Sequence, residues 1–279
     1  MLNSAGLKDK QYLLFRTYTI SEPVLNNTSI WIPKSRSSLN ESKMKPDYHS
    51  STKFEWGEIY RWDHEALLNL EPFVISIKEN VKSLPAYPPV SGDFINSCLS
   101  KNDPLCKSAD KLRKIIAKLD INNQERESVE KIKEHIIQHL KYEYPPRTRN
   151  AEDVLENMCS DCAGYHAVFV TLLRMINIPA VMDFGARLPD CSPHVWAWWY
   201  DTEKKEWNFE DLNDLQKQLE PSDRVSFTLG TGLKGTSFPK EIQFLQNSLV
   251  WDWNYNLHSS IFKKKVRVDI KIEAKLLNG

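Results

Sequence analysis

Nothing in the composition commits the chain to a polyanion or to a bilayer. Lys plus Arg equals Asp plus Glu at 37 each, a formal net charge of zero over 279 residues. There is no basic excess of the kind nucleic acid attracts, and no nucleic-acid partner is expected. No window reaches the length of a membrane span, and the opening MLNSAGLKDKQYLLF lacks the apolar run and small-residue cleavage site of a secretion leader. No membrane association and a cytoplasmic placement are therefore expected. Glycine is scarce at 9 residues, and the stretch where it clusters, LGTGLKGTSFP, lacks the G-x-x-x-x-G-K-[ST] order of a phosphate loop. No cofactor is expected, and no repeat at a solenoid or propeller period is present. Cysteine is sparse and odd in number: the five at 98, 106, 159, 162 and 191 cannot all pair within one chain. Cys98 and Cys106 have a spacing that suits a small disulfide loop in an oxidising compartment.

What is present is an apolar share of 41% with 11% aromatics, enough for a packed globular fold. Residues 12–34 read as two extended segments around a turn, and residues 35–51 as a long polar loop. Trp56, Tyr60, Trp62 and Leu68 are core candidates, and Phe73, Ile75 and Ile77 alternate as a strand should. The stretch LPAYPPVSGD at 84–93 is the strongest punctuation in the chain. Beyond it, Leu112, Ile115, Ile116 and Leu119 share one helical face. Val129, Ile132, Ile136 and Leu140 share another, on a helix expected to end at Pro145 and Pro146. A short helix leads into Cys159. Residues 212–241 read as polar and glycine-containing, and the alternating Val266, Val268, Ile270, Ile272 and Ala274 close the chain as a strand with one wet face.

The chain is organised around Asp161–Pro179. Cys162, Tyr165, Phe169, Leu172, Leu173 and Ile176 fall at helical spacing, so a buried helix is expected with a cysteine in its first turn. Unpaired N–H groups and the helix dipole at that end favour a thiolate, which predicts a depressed Cys162 pKa. His194 opens HVWAWWY, whose aromatic and β-branched content predicts a strand. WNFEDLND predicts a second strand ending at Asp211. A thiol, an imidazole and a carboxylate in this order are the parts of a nucleophilic acyl-transfer apparatus: Cys162 attacks, His194 moves the proton, and Asp211 fixes the imidazole tautomer. The Cys162 N–H is one expected oxyanion donor, and an indole or phenol from the first half a candidate second. The same region offers a rival. Cys159-x2-Cys162 and Cys191-x2-His194 have the spacing of a tetrahedral zinc site, which would make Cys162 a ligand. A binding module without chemistry is a second alternative. Trp196, Trp198, Trp199 and Trp207 are expected mainly in the core, with a minority free to face a substrate.

The run C-x2-YHAVFVTLLRMINIP-A, followed by HVW and W-x3-D, resembles the core of the transglutaminase-like cysteine enzyme superfamily, with its papain-like Cys-His-Asp centre. The resemblance places the nucleophile on Cys162, the motif aromatic on Tyr165 and the helix arginine on Arg174. It places the Ile-Pro pair on Ile178 and Pro179, the catalytic histidine on His194, and the acid after Trp207 on Asp211. His166 stands where the family usually has alanine or serine. Asn177 replaces the usual glycine, and asparagine is the other residue that tolerates a left-handed helix end. The resemblance implies an α+β fold with a helix packed on an antiparallel sheet. It also implies a β-rich accessory domain at 1–84, which TSIWIPK resembles, then a helical linker region at 85–124 and a catalytic domain at 125–279. The implied activity is cysteine-dependent acyl transfer at an amide. Hydrolysis of a peptide or protein, with a glycan-bearing chain as one substrate type, stands first and transglutaminase-type amine transfer second.

Overall fold

The computed structural model describes residues 10–20, 29–40, 42–48, 50–63, 73–83, 86–100, 110–119, 121, 124–188, 190–217, 223–230, 256–258 and 265–277. Leu68, Cys106 and the glycine-containing stretch beyond Gly230 lie outside them. Six strands come first: β1 (Gln11–Ile20), β2 (Ser29–Pro33), β3 (Lys43–Lys45), β4 (Ser50–Phe54), β5 (Gly57–Asp63) and β6 (Phe73–Lys82). Helices α1 (Gly92–Ser97), α2 (Asp110–Lys118), α3 (Glu125–His139) and α4 (Ala151–Asn157) follow, with two-residue strands β7 (Lys141–Tyr142) and β8 (Cys159–Ser160) on either side of α4. The remainder is α5 (Cys162–Met175), β9 (Ala180–Leu188), β10 (Pro193–Asp201), β11 (Glu206–Glu210), α6 (Leu212–Lys217), β12 (Asp223–Leu229), β13 (Asn256–His258) and β14 (Lys265–Leu277). This is the α+β organisation expected from the sequence.

The sheet that carries His194 is antiparallel throughout, in the order β11-β10-β9-β12. One face, through Met182, Phe184, Val195, Ala197 and Trp199, packs on α5 residues Tyr165, Phe169, Leu172 and Leu173. The other face, through Val181, Trp196 and Trp198, packs on Tyr18, Ile32, Trp56 and Trp62 from the first strands. A strand covered on both sides needs no polar face, which is why HVWAWWY alternates so poorly. Trp196, Trp198, Trp199 and Trp207 are all buried, so the tryptophans are core and not a substrate platform.

The first strands form two sheets, β13-β14-β1-β6-β3 and β2-β5-β4. The last strand of the chain pairs with the first, from Gln11 opposite Leu277 to Ile20 opposite Val268. Arg16, which gives β1 its mixed face, is buried and donates to Glu79 at 2.7 Å. Residues 35–51 are not wholly a loop, since β3 lies among them and pairs with β6.

One further expectation is corrected, and the structure adds elements that the sequence does not mark. Helix α3 ends at His139, well before Pro145, because Leu140 is already extended and feeds β7. There Lys141 and Tyr142 pair in parallel with Cys159 and Ser160, which brings Tyr142 beside the turn that presents Cys162. Within the polar stretch 212–241, α6 and the wholly buried β12 are formed. Strand β9 follows directly on the Ile-Pro pair and is buried along almost its whole length.

Candidate active site

Helix α5 begins where it does because Asp161 caps it. The Asp161 carboxylate accepts from the N–H of Ala163 at 3.0 Å and of Gly164 at 3.3 Å, and is itself bound by Arg149 Nε at 2.8 Å. The Cys162 N–H is outside this cap. Gly164 is required by close packing: a Cβ there would overlap the Ser160 side chain. At the other end Asn177 sits at φ 65°, the left-handed conformation anticipated for it.

Strand β10 carries His194 to the start of this helix. The N–H of Val195, the next residue, donates to the Cys162 sulfur, so thiol and imidazole are presented together from helix and strand. On its other side His194 Nε2 meets Asp211 Oδ2 at 2.6 Å. The carboxylate therefore accepts a hydrogen bond from Nε2–H, and Nδ1 is the nitrogen left to accept a proton from the thiol. Asp211 follows β11 and opens α6, where its other oxygen accepts the Asp214 N–H at 3.2 Å. One side chain thus fixes both the imidazole and a helix start.

Four charged residues complete the buried network, and sequence reasoning had singled out only Asp211 among them. Arg224 on β12 donates through Nη2 to Asp211 at 2.6 Å and to Asp214 at 2.5 Å. Arg187 on β9 pairs with Asp214, and its Nη2 lies 3.3 Å from His194 Nε2. Asp214 has a weak signal in sequence, as the second acid of DLND one turn after Asp211. Arg187 and Arg224 have none, because only the β9–β12 register, which sets them opposite one another, brings them here.

The electrostatics overturn one expectation. The Cys162 thiol is pushed up to about 12, not depressed: burial acts first, then the Asp161 charge, and the Val195 N–H and Arg149 only partly offset them. The helix end that was expected to stabilise a thiolate is occupied by a carboxylate cap. His194 is lowered, by burial and by Arg187 and Arg224 against the pull of Asp211, so it is neutral at neutral pH. The resting pair is a neutral thiol beside a neutral imidazole. Asp211 is held far below the usual carboxylate range, because the hydrogen bond from His194 and the charge of Arg224 outweigh the cost of its burial.

The zinc alternative is not assembled. Cys159 hydrogen-bonds toward Glu143, while Cys191 packs among Tyr12, Leu14, Val81 and Leu188. Among the described residues, the metal-ligand atoms that converge belong to His194, Asp211 and Asp214. Two guanidinium groups already neutralise those carboxylates, which leaves little charge to hold a cation. Cys98 is buried and free among the described residues, and Cys106, its partner in the expected small disulfide loop, lies outside them.

Residues 113–211 match the model of the transglutaminase-like superfamily. A crystal structure of a candidate cysteine protease from Cytophaga hutchinsonii is 16% identical, with 98% of this chain and 92% of that one covered and a TM-score of 0.62. At that identity the likeness concerns the fold. A TGase structure matches at 15% identity over 59% of this chain and 43% of its own, with a TM-score of 0.32. A candidate protease from Parabacteroides distasonis matches at 16% over 80% and 47%, with a TM-score of 0.35. No curated protein matches the chain. No helix among the described residues is long and apolar enough to cross a membrane. The chain carries the transglutaminase-like, papain-related cysteine-hydrolase fold, in which Cys162, His194 and Asp211 come together as a Cys-His-Asp cluster.

Proposed function

We propose that the chain is a cysteine-dependent hydrolase that cleaves an amide in a peptide or protein through a thioester on Cys162. The observation that supports this reading is that the Val195 N–H meets the Cys162 sulfur while the adjacent His194 meets Asp211 at 2.6 Å. Because the resting pair is neutral, proton transfer accompanies attack. His194 Nδ1 takes the thiol proton as the sulfur–carbon bond forms, and Asp211 stabilises the imidazolium through Nε2. The oxyanion is met by the Cys162 N–H, a donor of the kind that contributes about 3 kcal/mol. His194 then protonates the leaving nitrogen, the carbon–nitrogen bond breaks and the amine departs. Water, deprotonated by the same imidazole, resolves the thioester and restores the thiol.

Transglutaminase-type amine transfer differs only in the last acceptor and is the second reading. A library of peptide amides, some glycan-bearing, incubated with and without a fluorescent primary amine separates the two. Free carboxylate product supports hydrolysis, and amine incorporation supports transfer. Both are expected to vanish in Cys162→Ala, and activity that survives that substitution would sink the proposal.

A further inference from the structure

Helix α5 buries a second imidazole that the proposed chemistry does not use. His166 lies one turn after the nucleophile and is wholly buried. Its Nδ1 lies 2.7 Å from the Cys162 carbonyl oxygen, and its Nε2 accepts the Leu212 N–H at 3.1 Å. The two bonds determine the tautomer: Nε2 is the acceptor, so Nδ1 carries the proton and donates it. Burial lowers the ring to about 4, which keeps it in that neutral form. Both partners are backbone groups of functional positions. One is the carbonyl of the nucleophile itself, and the other is the N–H of the residue directly after Asp211.

We infer that His166 is a positioning residue, a neutral crosspiece that fixes the turn bearing Asp211 against the turn bearing Cys162 and so sets the alignment of the Cys-His-Asp relay. The inference rests on the proposed role of that relay. Alanine or serine, usual at this position in the resembled family, would reach neither the Cys162 carbonyl with a ring nitrogen nor the Leu212 N–H. In this chain the two turns are joined directly through the His166 ring. Sequence alone presents His166 as a departure from a pattern, whereas the structure gives it two hydrogen bonds and a defined proton.

The test uses p-nitrophenyl acetate, which acylates an activated thiol and reports the rate by release of p-nitrophenolate, so the natural substrate is not needed. Cys162→Ala is expected to abolish the burst, and His194→Ala to slow acylation by about a hundredfold or more, as loss of a general base does. His166→Ala is expected to slow it about tenfold, the effect of one misplaced hydrogen bond, with half-saturation unchanged. His166→Gln retains an acceptor at the Nε2 position and is expected to return the rate to within about threefold of wild type, whereas His166→Asn, too short to reach Leu212, stays about tenfold slow. The Gln–Asn comparison stands even if His166→Ala does not fold. A folded His166→Ala as fast as wild type, or His166→Gln as slow as His166→Asn, overturns the inference. His194→Ala acylating at the wild-type rate would instead overturn the reading of the site itself.

Discussion

Arg224 offers the sharpest test of how the site is held. Its side chain is 1% exposed and faces two carboxylates, Asp211 at 4% and Asp214 at 7%. Arg224→Met keeps most of the aliphatic volume and the contact with the Phe209 ring, over which the guanidinium carbon sits at 5.0 Å. It removes the charge. Breaking a buried pair from one side costs about 3–5 kcal/mol, because the remaining charge is stranded away from water. Here Asp211 retains His194, and Asp214 retains Arg187, which places the expected loss near the lower bound, about 3 kcal/mol at pH 7. The pH dependence has a definite sign. A carboxyl held below its unfolded value contributes stability that is present above about pH 4 and is lost as pH falls toward the folded pKa. Arg224 is one of the groups that hold Asp211 low, so the variant's deficit should be largest at neutral pH and shrink on acidification. Urea unfolding followed by tryptophan fluorescence at pH 7, 4 and about 2.5 measures it. A deficit under about 1 kcal/mol at pH 7, the value of an exposed pair, or one constant across the series, would refute the argument.

His166 itself should make the protein acid-sensitive: with a folded value of about 4 against about 6.5 unfolded, about 3 kcal/mol is lost between those pH values as the unfolded chain takes up the proton. Urea midpoints of His166→Gln should therefore fall less steeply over that range, and parallel curves would contradict the assignment of a neutral ring. Asp161→Asn keeps the oxygen that caps Ala163 and Gly164 but removes the charge beside the sulfur. Iodoacetamide should alkylate Cys162 severalfold faster at pH 8 while stability falls by about 1 kcal/mol, and slower alkylation would show that the cap charge does not govern the thiol. Gly185, opposite His194 in the β9–β10 pairing, has no room for a side chain, since a Cβ would overlap the Val225 carbonyl and lie 2.5 Å from the Trp196 ring. Gly185→Ala should lower stability by about 2–3 kcal/mol and slow acylation together, as read by thermal melting and the p-nitrophenyl acetate burst.

The parts of the site that were legible in sequence are those whose signal is local. The apolar spacing of Tyr165, Phe169, Leu172 and Leu173 marks α5, and aromatic content marks β10. Asn177 in a glycine position marks a left-handed helix end, and the order of Cys162, His194 and Asp211 marks the relay. What was not legible depends on partners distant in the chain. Asp223 and Arg224 lie in a stretch that reads only as polar, yet in β12 they are buried with their opposite charges supplied by Lys10 and by Asp211 and Asp214. The union of β14 with β1 likewise has no local sign.

The wrong sign for the Cys162 thiol has the same origin and changes the chemistry. A cysteine at a helix start is acidic only if that helix end faces nothing negative, and here the residue before it is an aspartate that occupies the first free N–H groups. Burial and the cap raise the thiol while two arginines beside His194 oppose its protonation, so a preformed thiolate–imidazolium pair would be unfavourable at both ends. The sulfur must then be activated as the substrate arrives. Asp211, held ionised against that imidazole, stabilises the positive charge only once it forms, and so contributes to the transition state more than to the resting enzyme. It follows that Asp211→Asn should depress acylation far more than it depresses alkylation at high pH, where the thiolate exists without help from His194.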